Sequence, residues 1–197
     1  LKDSDEMVSA VKDNGKAIFV TASGNYLNID SNEIPIVGSK ASGVRGINVK
    51  DDEVVTCLSP TPDKDYLLIA TNKSTAKRIR ISDLEVSSRA KKGSTLMKKV
   101  KTNPYTIISV VPVSIQNTIG VKIDNEISEI KVTEIGIMDL SSTGSSISKY
   151  DVEEAFLITD VEESKLDETK QTSTPVEEEK IEEDLSILLE ELNLNEE

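Results

Sequence analysis

The chain has 197 residues with 3% aromatic side chains, no Trp, no His, one Cys and a net charge of −13. These absences exclude a disulfide framework, a Cys/His zinc site and a His-dependent triad within the chain. No apolar run approaches the length of a membrane span and no secretory leader is visible, so the cytoplasm is the expected location.

In chain order, residues 1–16 come first. Leu1–Val11 parallels Val49–Leu58, which predicts the closing strand of a preceding, truncated blade. From residue 17 the chain repeats. Ala17–Thr21 superimposes on Leu67–Thr71 at a shift of 50, which also brings Ile29 over Ile79, Ile34 over Leu84 and Gly43 over Gly93. A further shift of 51 lays Ile79–Leu84 over Ile130–Ile135 and Gly93 over Gly144. Three copies follow, over 17–66, 67–117 and 118–162. Each opens with an apolar strand and a turn (Ser23-Gly24-Asn25, Asn72-Lys73-Ser74, Asp124-Asn125), then an alternating segment such as Lys77–Ile81. A glycine bend and a closing strand complete it, over 54–58, 107–113 and 155–161. Such units of about fifty residues predict an all-β, propeller-like array of blades. Cys57 falls in the apolar run Val54–Leu58 and is predicted to be a packed core residue.

The last segment, 163–197, is rich in Glu, Lys, Thr and Ser and is predicted to be a mostly disordered acidic tail. Leu185, Leu188, Leu189 and Leu192 share one helical face, so a short helix over 182–193 is expected. It could dock on its own domain or enter a partner's groove.

Charge divides unevenly. Residues 151–197 hold 18 acids and 3 bases, whereas 1–150 carry a net +2. Between 73 and 101, ten bases stand against Asp83 and Glu85. These are Lys73, Lys77, Arg78, Arg80, Arg89, Lys91, Lys92, Lys98, Lys99 and Lys101, with Lys40, Arg45 and Lys50 extending the track. Arg78 and Arg80 flank the inward Ile79 and are expected to point outward. Their counterparts are Asn28 and Asp30 in the first copy, and Glu129 and Lys131 in the third. At the bend, Arg89, Lys91 and Lys92 correspond to Ser39, Ala41 and Ser42, and to Leu140, Ser142 and Thr143. Concentration in the middle copy favours a binding role over simple solvation of a strand face.

The runs Glu33–Asp52, Ser88–Gly93 and Val100–Pro104 resemble blades of the C-terminal domain family of bacterial type IIA topoisomerase A subunits, on the topoisomerase IV side and of Gram-positive type. The resemblance covers residues 1–162. It implies a β-pinwheel whose blades exchange strands, binding duplex DNA along a basic outer rim near the nucleoid. It also implies partners, namely the rest of the A-type polypeptide and the ATPase subunit of a strand-passage enzyme. Catalytic residues, metal ligands and cofactors would lie outside this segment. Tyr26, Tyr66, Tyr105 and Tyr150 match no nucleophile motif of the family and read as packing or rim residues. The related gyrase domain carries a Gln-Arg-Arg-Gly-Gly-Arg-Gly type box that is missing here, so a gyrase wrapping domain is the alternative.

Because aromatic residues do not interleave with the bases, contact with duplex backbone is expected rather than stacking on single strands. The acidic tail then has two readings, a solubilising extension or a competitor with DNA for the basic blade. A propeller scaffold for protein–protein interaction is the reading from another functional class.

Overall fold

Short runs rich in β-branched residues, each closed by a turn former, fold here into antiparallel hairpins. The computed structural model describes residues 6–50 and 52–159; the expected acidic tail and the helix over 182–193 lie outside the described residues. The strands are β1 (Lys16–Thr21), β2 (Asn25–Asp30), β3 (Val54–Leu58), β4 (Tyr66–Thr71), β5 (Thr75–Arg80), β6 (Ser94–Thr95), β7 (Ile107–Val113), β8 (Thr118–Ile123), β9 (Glu126–Lys131), β10 (Ser145–Ser146) and β11 (Glu154–Ile158). Single turns of 3-10 helix follow β2, β5 and β9, at Ser31–Glu33, Ile81–Asp83 and Val132–Glu134.

The strands form three sheets, ordered β3-β1-β2-β6, β7-β4-β5-β10 and β11-β8-β9. Each is built on a hairpin whose first strand also pairs with the closing strand of its copy. The fourth strand is borrowed. β6 leaves the second copy to pair with β2, Asn25 opposite Thr95 and Tyr26 opposite Ser94. β10 leaves the third copy to pair with β5 in the same register. The blades thus exchange strands, as the resemblance implies.

Turn chemistry explains the hairpins. Gly24, Ser74 and Asn125 each hold a left-handed conformation before the second strand. Asp124 joins Asn125 at positive φ, giving the third hairpin a two-residue loop of the type whose twist suits antiparallel strands. Gly93 and Gly144 are left-handed too, and a Cβ on either would press on the main chain of Tyr26 or Ala76. The strand exchange therefore depends on glycine at the bend.

Side chains from successive sheets interleave. Along β4, Leu67 and Ile69 pack with Ile18, Val20 and Tyr26 of the first sheet, while Leu68 and Ala70 pack with Ile119 and Val121 of the third. The middle sheet is therefore buried on both faces, and each fully buried Leu or Ile contributes about 1.5–3 kcal/mol. On the far face of the first sheet, Ala17, Leu27 and Ile29 are covered by Ile47 from the loop before β3. Cys57 sits at the margin of this cluster, half-buried, and burial pushes its thiol up.

The strand expected over 1–16 is not formed within residues 6–15. Met7, Val8 and Val11 are exposed. The Ser9 hydroxyl instead donates to the Cys57 carbonyl and accepts from its amide, so a side chain takes the place of a main-chain ladder.

Candidate nucleic-acid interface

The glycine bends of the second and third copies lie against the preceding sheet, and this sets where the basic side chains go. In the first seam, Ala90 donates its amide to Gly46 O at 2.7 Å and Asn48 donates to Lys91 O at 2.9 Å. A cleft of about 320 Å³ opens here, lined among others by Ser23, Asn48, Lys50, Asp52, Lys92 and Lys99. Lys99 Nζ lies 3.2 Å from Ser23 Oγ. The second seam repeats the arrangement one copy later. Lys98, Lys99 and Lys101 face Ser141, Ser142 and Thr143 across a shallow cleft. Residues 98–100 are the counterparts of 48–50, and Thr143 is the counterpart of Lys92. Lys99 lines both clefts and makes them neighbours.

Asp52 organises the first cleft. It accepts from the Ser23 amide (3.0 Å), the Ser23 hydroxyl (2.5 Å), Asn25 Nδ2 (3.3 Å) and the Glu53 amide (3.0 Å). Burial alone would push its carboxyl up, but hydrogen bonds from the Ser23 and Thr21 hydroxyls and the Ser23 and Glu53 amides hold it below its ordinary value. Asp52 therefore stays ionised and fastens the loop carrying Lys50, with its acceptor sites occupied by protein donors. Nothing in the repeat pattern marks this residue; its role shows only once Asp52 and Glu53 are seen to bond Ser23 and Ala22 beside the β1–β2 turn.

The structure moves several sequence-derived candidates. Lys77 and Arg78 are not outward. Lys77 is 0% exposed, and its ammonium donates to the carbonyls of Asp139 (2.9 Å), Leu140 (3.4 Å) and Ser142 (3.1 Å). Arg78 is 5% exposed and donates through Nε to Ile135 O, with its guanidinium 5.1 Å from the Tyr66 ring centroid. Both fasten the second sheet to the third copy, so neither can meet a phosphate. Asn28, the counterpart of Arg78, does the same one copy earlier by donating to Leu84 O at 3.0 Å. The physical reason is common to all three. The outer side of β2 and of β5 is covered by the bend of the next copy, so a position that looks wet within one copy is interior to the array.

Arg80 is exposed but lies at the other end of its strand. It faces Asp83 at 3.9 Å, in a groove with Lys16 and Lys64, away from the hairpin turns that border the first seam. Lys73 is exposed on the β4–β5 turn, and Lys40 is exposed on the first copy's bend. Arg89 is partly committed, donating through Nη1 to Arg45 O at 2.7 Å and from its amide to Glu33. Arg45, Lys91, Lys92, Lys98, Lys99 and Lys101 remain exposed at the seams, joined by Lys50. The charge assigned to the middle blade is thus spread over two seams, because 89–92 pack on the first sheet and 98–101 face the third copy's bend.

Tyr26 and Tyr105 pack in the interior. Tyr26 is buried, with its hydroxyl accepting from the Glu85 amide at 3.1 Å. Tyr105 donates to Met97 O at 2.9 Å, and burial pushes its hydroxyl up to about 12. Tyr150 is exposed.

Comparison with known proteins agrees with this architecture. The sequence profile described as "DNA gyrase C-terminal domain, beta-propeller" matches residues 16–61 and 65–114. The A-type polypeptide of DNA topoisomerase 4 from Bacillus subtilis is 29% identical over 164 residues, covering 82% of this chain and 20% of the relative. That of Staphylococcus epidermidis is 33% identical over 111 residues, covering 55% of this chain and 14% of the relative. The chain therefore spans about a fifth or less of the length of these curated relatives. Among solved structures, the C-terminal domain of DNA topoisomerase IV superimposes with a TM-score of 0.74 at 29% identity, covering 80% of this chain and 51% of that one. A DNA gyrase A C-terminal domain shares the fold, with a TM-score of 0.69 at 20% identity over 80% of this chain and 56% of that one.

Proposed function

This chain belongs to the C-terminal β-pinwheel family of gyrase and topoisomerase IV A subunits, and from that premise we propose that it binds duplex DNA without reading sequence. The observation that carries the proposal is the convergence of Lys50, Lys92 and Lys99 in one seam and Lys98, Lys99 and Lys101 in the next. The first seam gathers bases from two copies and the second from the middle copy alone, so a phosphate backbone crossing the seams meets several cations in succession. Every phosphate neutralised releases condensed counterions, which drives association. Lysines on exposed loops suit this task, because they position a backbone without the bidentate geometry that base recognition demands.

Strung over successive seams, such contacts bend the duplex and present it to a strand-passage enzyme. On this reading the chain is a non-catalytic part of a type IIA topoisomerase that works in decatenation and relaxation on chromosomal DNA in the cytoplasm. The rest of the A-type polypeptide and the ATPase subunit would supply the chemistry. Topoisomerase IV is favoured over gyrase by the higher identity to its solved domain, 29% against 20%.

The test is fluorescence anisotropy of a labelled random-sequence duplex over a range of salt. Affinity should fall steeply and log-linearly with salt, and Lys92→Glu with Lys99→Glu should weaken it further. Affinity indifferent to salt and to both changes would sink the DNA reading and leave the protein-scaffold reading standing.

A further inference from the structure

The two basic clefts sit on equivalent seams that are closed by different means. In the first, main chain meets main chain, with Ala90 N on Gly46 O at 2.7 Å and Asn48 N on Lys91 O at 2.9 Å. One copy later the second of these bonds, Lys98 N to Ser142 O, stretches to 3.4 Å. The first, which would join Ser141 N to Leu96 O, is not made among the described residues. The Lys77 ammonium takes their place. It donates to the carbonyls of Asp139, Leu140 and Ser142, whereas its counterpart in the first copy is the buried, apolar Leu27. The bend so held carries Ser141 and Ser142, which line the second cleft opposite Lys98, Lys99 and Lys101.

We propose that Lys77 is a positioning residue for that cleft: without touching DNA, its ammonium holds the bend 139–142 against the loop 98–101, so the cleft's grip on a phosphate backbone depends on the proton Lys77 carries. The inference rests on the duplex-binding reading above. An ammonium offers three N–H donors to three carbonyls, but a neutral amine has two and turns a lone pair on the third oxygen. Where the first seam keeps its main-chain bonds at any pH, the second therefore slackens when Lys77 is neutral.

The surroundings make that change accessible. Burial brings the release of this proton down to about 8, against the smaller pull of Asp139 on the bend. β4 sets the apolar Ile69 opposite Lys77, β10 consists of two serines, and the neighbouring Arg78 is committed to Ile135 O. Lys98, Lys99 and Lys101 stand across the cleft. A phosphate settling among them offsets their repulsion and strengthens the hold of Lys77 on its proton, so duplex and proton favour one another.

Anisotropy titrations of the full chain with labelled duplex at pH 7 and pH 9, at fixed salt, test the proposal, together with amide NMR shifts of the free chain over the same range. Wild-type affinity should fall about threefold, and Lys77→Met should already be that weak at pH 7 and change little by pH 9. Lys77→Gln, which keeps a neutral donor, should likewise lose the pH dependence. Both variants should keep the wild-type salt slope, since no phosphate contact is removed. Without DNA, the Lys98 and Ser142 amides should titrate with a midpoint near 8 in wild type and not in Lys77→Met. A wild-type affinity as indifferent to pH as the variants', a slope shallower by about one contact, or amides that do not follow the proton would each overturn the proposal. Absence of duplex binding at every pH would instead sink the duplex reading, and this role with it.

Discussion

Arg78 donates through Nε to the main-chain oxygen of Ile135 at 2.6 Å. The bond crosses from the second sheet to the bend of the third copy and is buried from water. Ile135 O therefore depends on Arg78 for this side-chain donor, and the adjacent main-chain bonds, Arg78 N to Gly136 O and Met138 N to Arg78 O, rest on the same alignment.

Arg78→Ala should accordingly lower stability by about 2–3 kcal/mol, as removal of a charged donor from a buried acceptor does. Urea unfolding measures it. Arg78→Lys should recover less than half of the loss, because an ammonium lacks the planar fork that stacks on Tyr66. If Arg78 instead contacted DNA, stability would be unchanged and affinity would fall.

Contacts of this kind lie beyond what the sequence shows. The hairpins and the closing strands Val54–Leu58 and Ile107–Val113 are legible, because apolar alternation and turn formers are local signals. Ile29 and Ile79 are inward as their repeat position implies. β6 and β10 are not legible, since two residues carry no periodicity and their partners lie in another copy. The same cause misplaces Arg78. A strand with one wet face in a single copy acquires a cover when the next copy docks. Lys92 and Lys99 are legible as bases, but their meeting with Lys50 is a property of the seam.

The buried Lys77 ammonium gives a pH signature. Burial lowers it from an ordinary 10.5 to about 8, against the smaller opposing influence of Asp139. Between about pH 8 and 10.5 the unfolded chain holds this proton and the folded chain has lost it. Stability contributed by this site therefore rises with pH across that window and is flat below it. The melting temperature of wild type relative to Lys77→Met should climb by several degrees from pH 8 to pH 10. A constant difference would show that the folded-state amine keeps its ordinary affinity for protons.

DNA affinity should separate the two ends of the strands. Lys99→Glu removes a cation from both clefts and should weaken duplex binding about tenfold at moderate salt, flattening the salt dependence by about one phosphate contact. Lys64→Glu, at the end of β4 away from the turns, should leave affinity within about twofold. Equal losses from both would indicate a diffuse field rather than a track along the seams.

Glycine at the bend is the lever on the exchange itself. Gly93→Ala forces a Cβ into the Tyr26 carbonyl and should cost about 3 kcal/mol, read as a lowered denaturation midpoint. Gly43→Ala meets open space and should cost only about 1 kcal/mol, the strain of a left-handed alanine. Similar losses at the two sites would mean that backbone strain, and not the close approach, sets the requirement.

The borrowed strands also impose a timetable on synthesis. β1, β2 and β3 have all emerged once residue 58 is clear, but the strand that seats on β2 lies at Ser94–Thr95. At elongation rates of about 5–20 residues per second this leaves the first hairpin's edge uncovered for roughly 2–7 s. β5 then waits in turn for Ser145–Ser146. Each blade matures only when its successor arrives, so maturation must run from the amino end towards the carboxyl end. A ribosome stalled between residues 58 and 93 would hold an open strand edge, the feature through which nascent chains pair with one another.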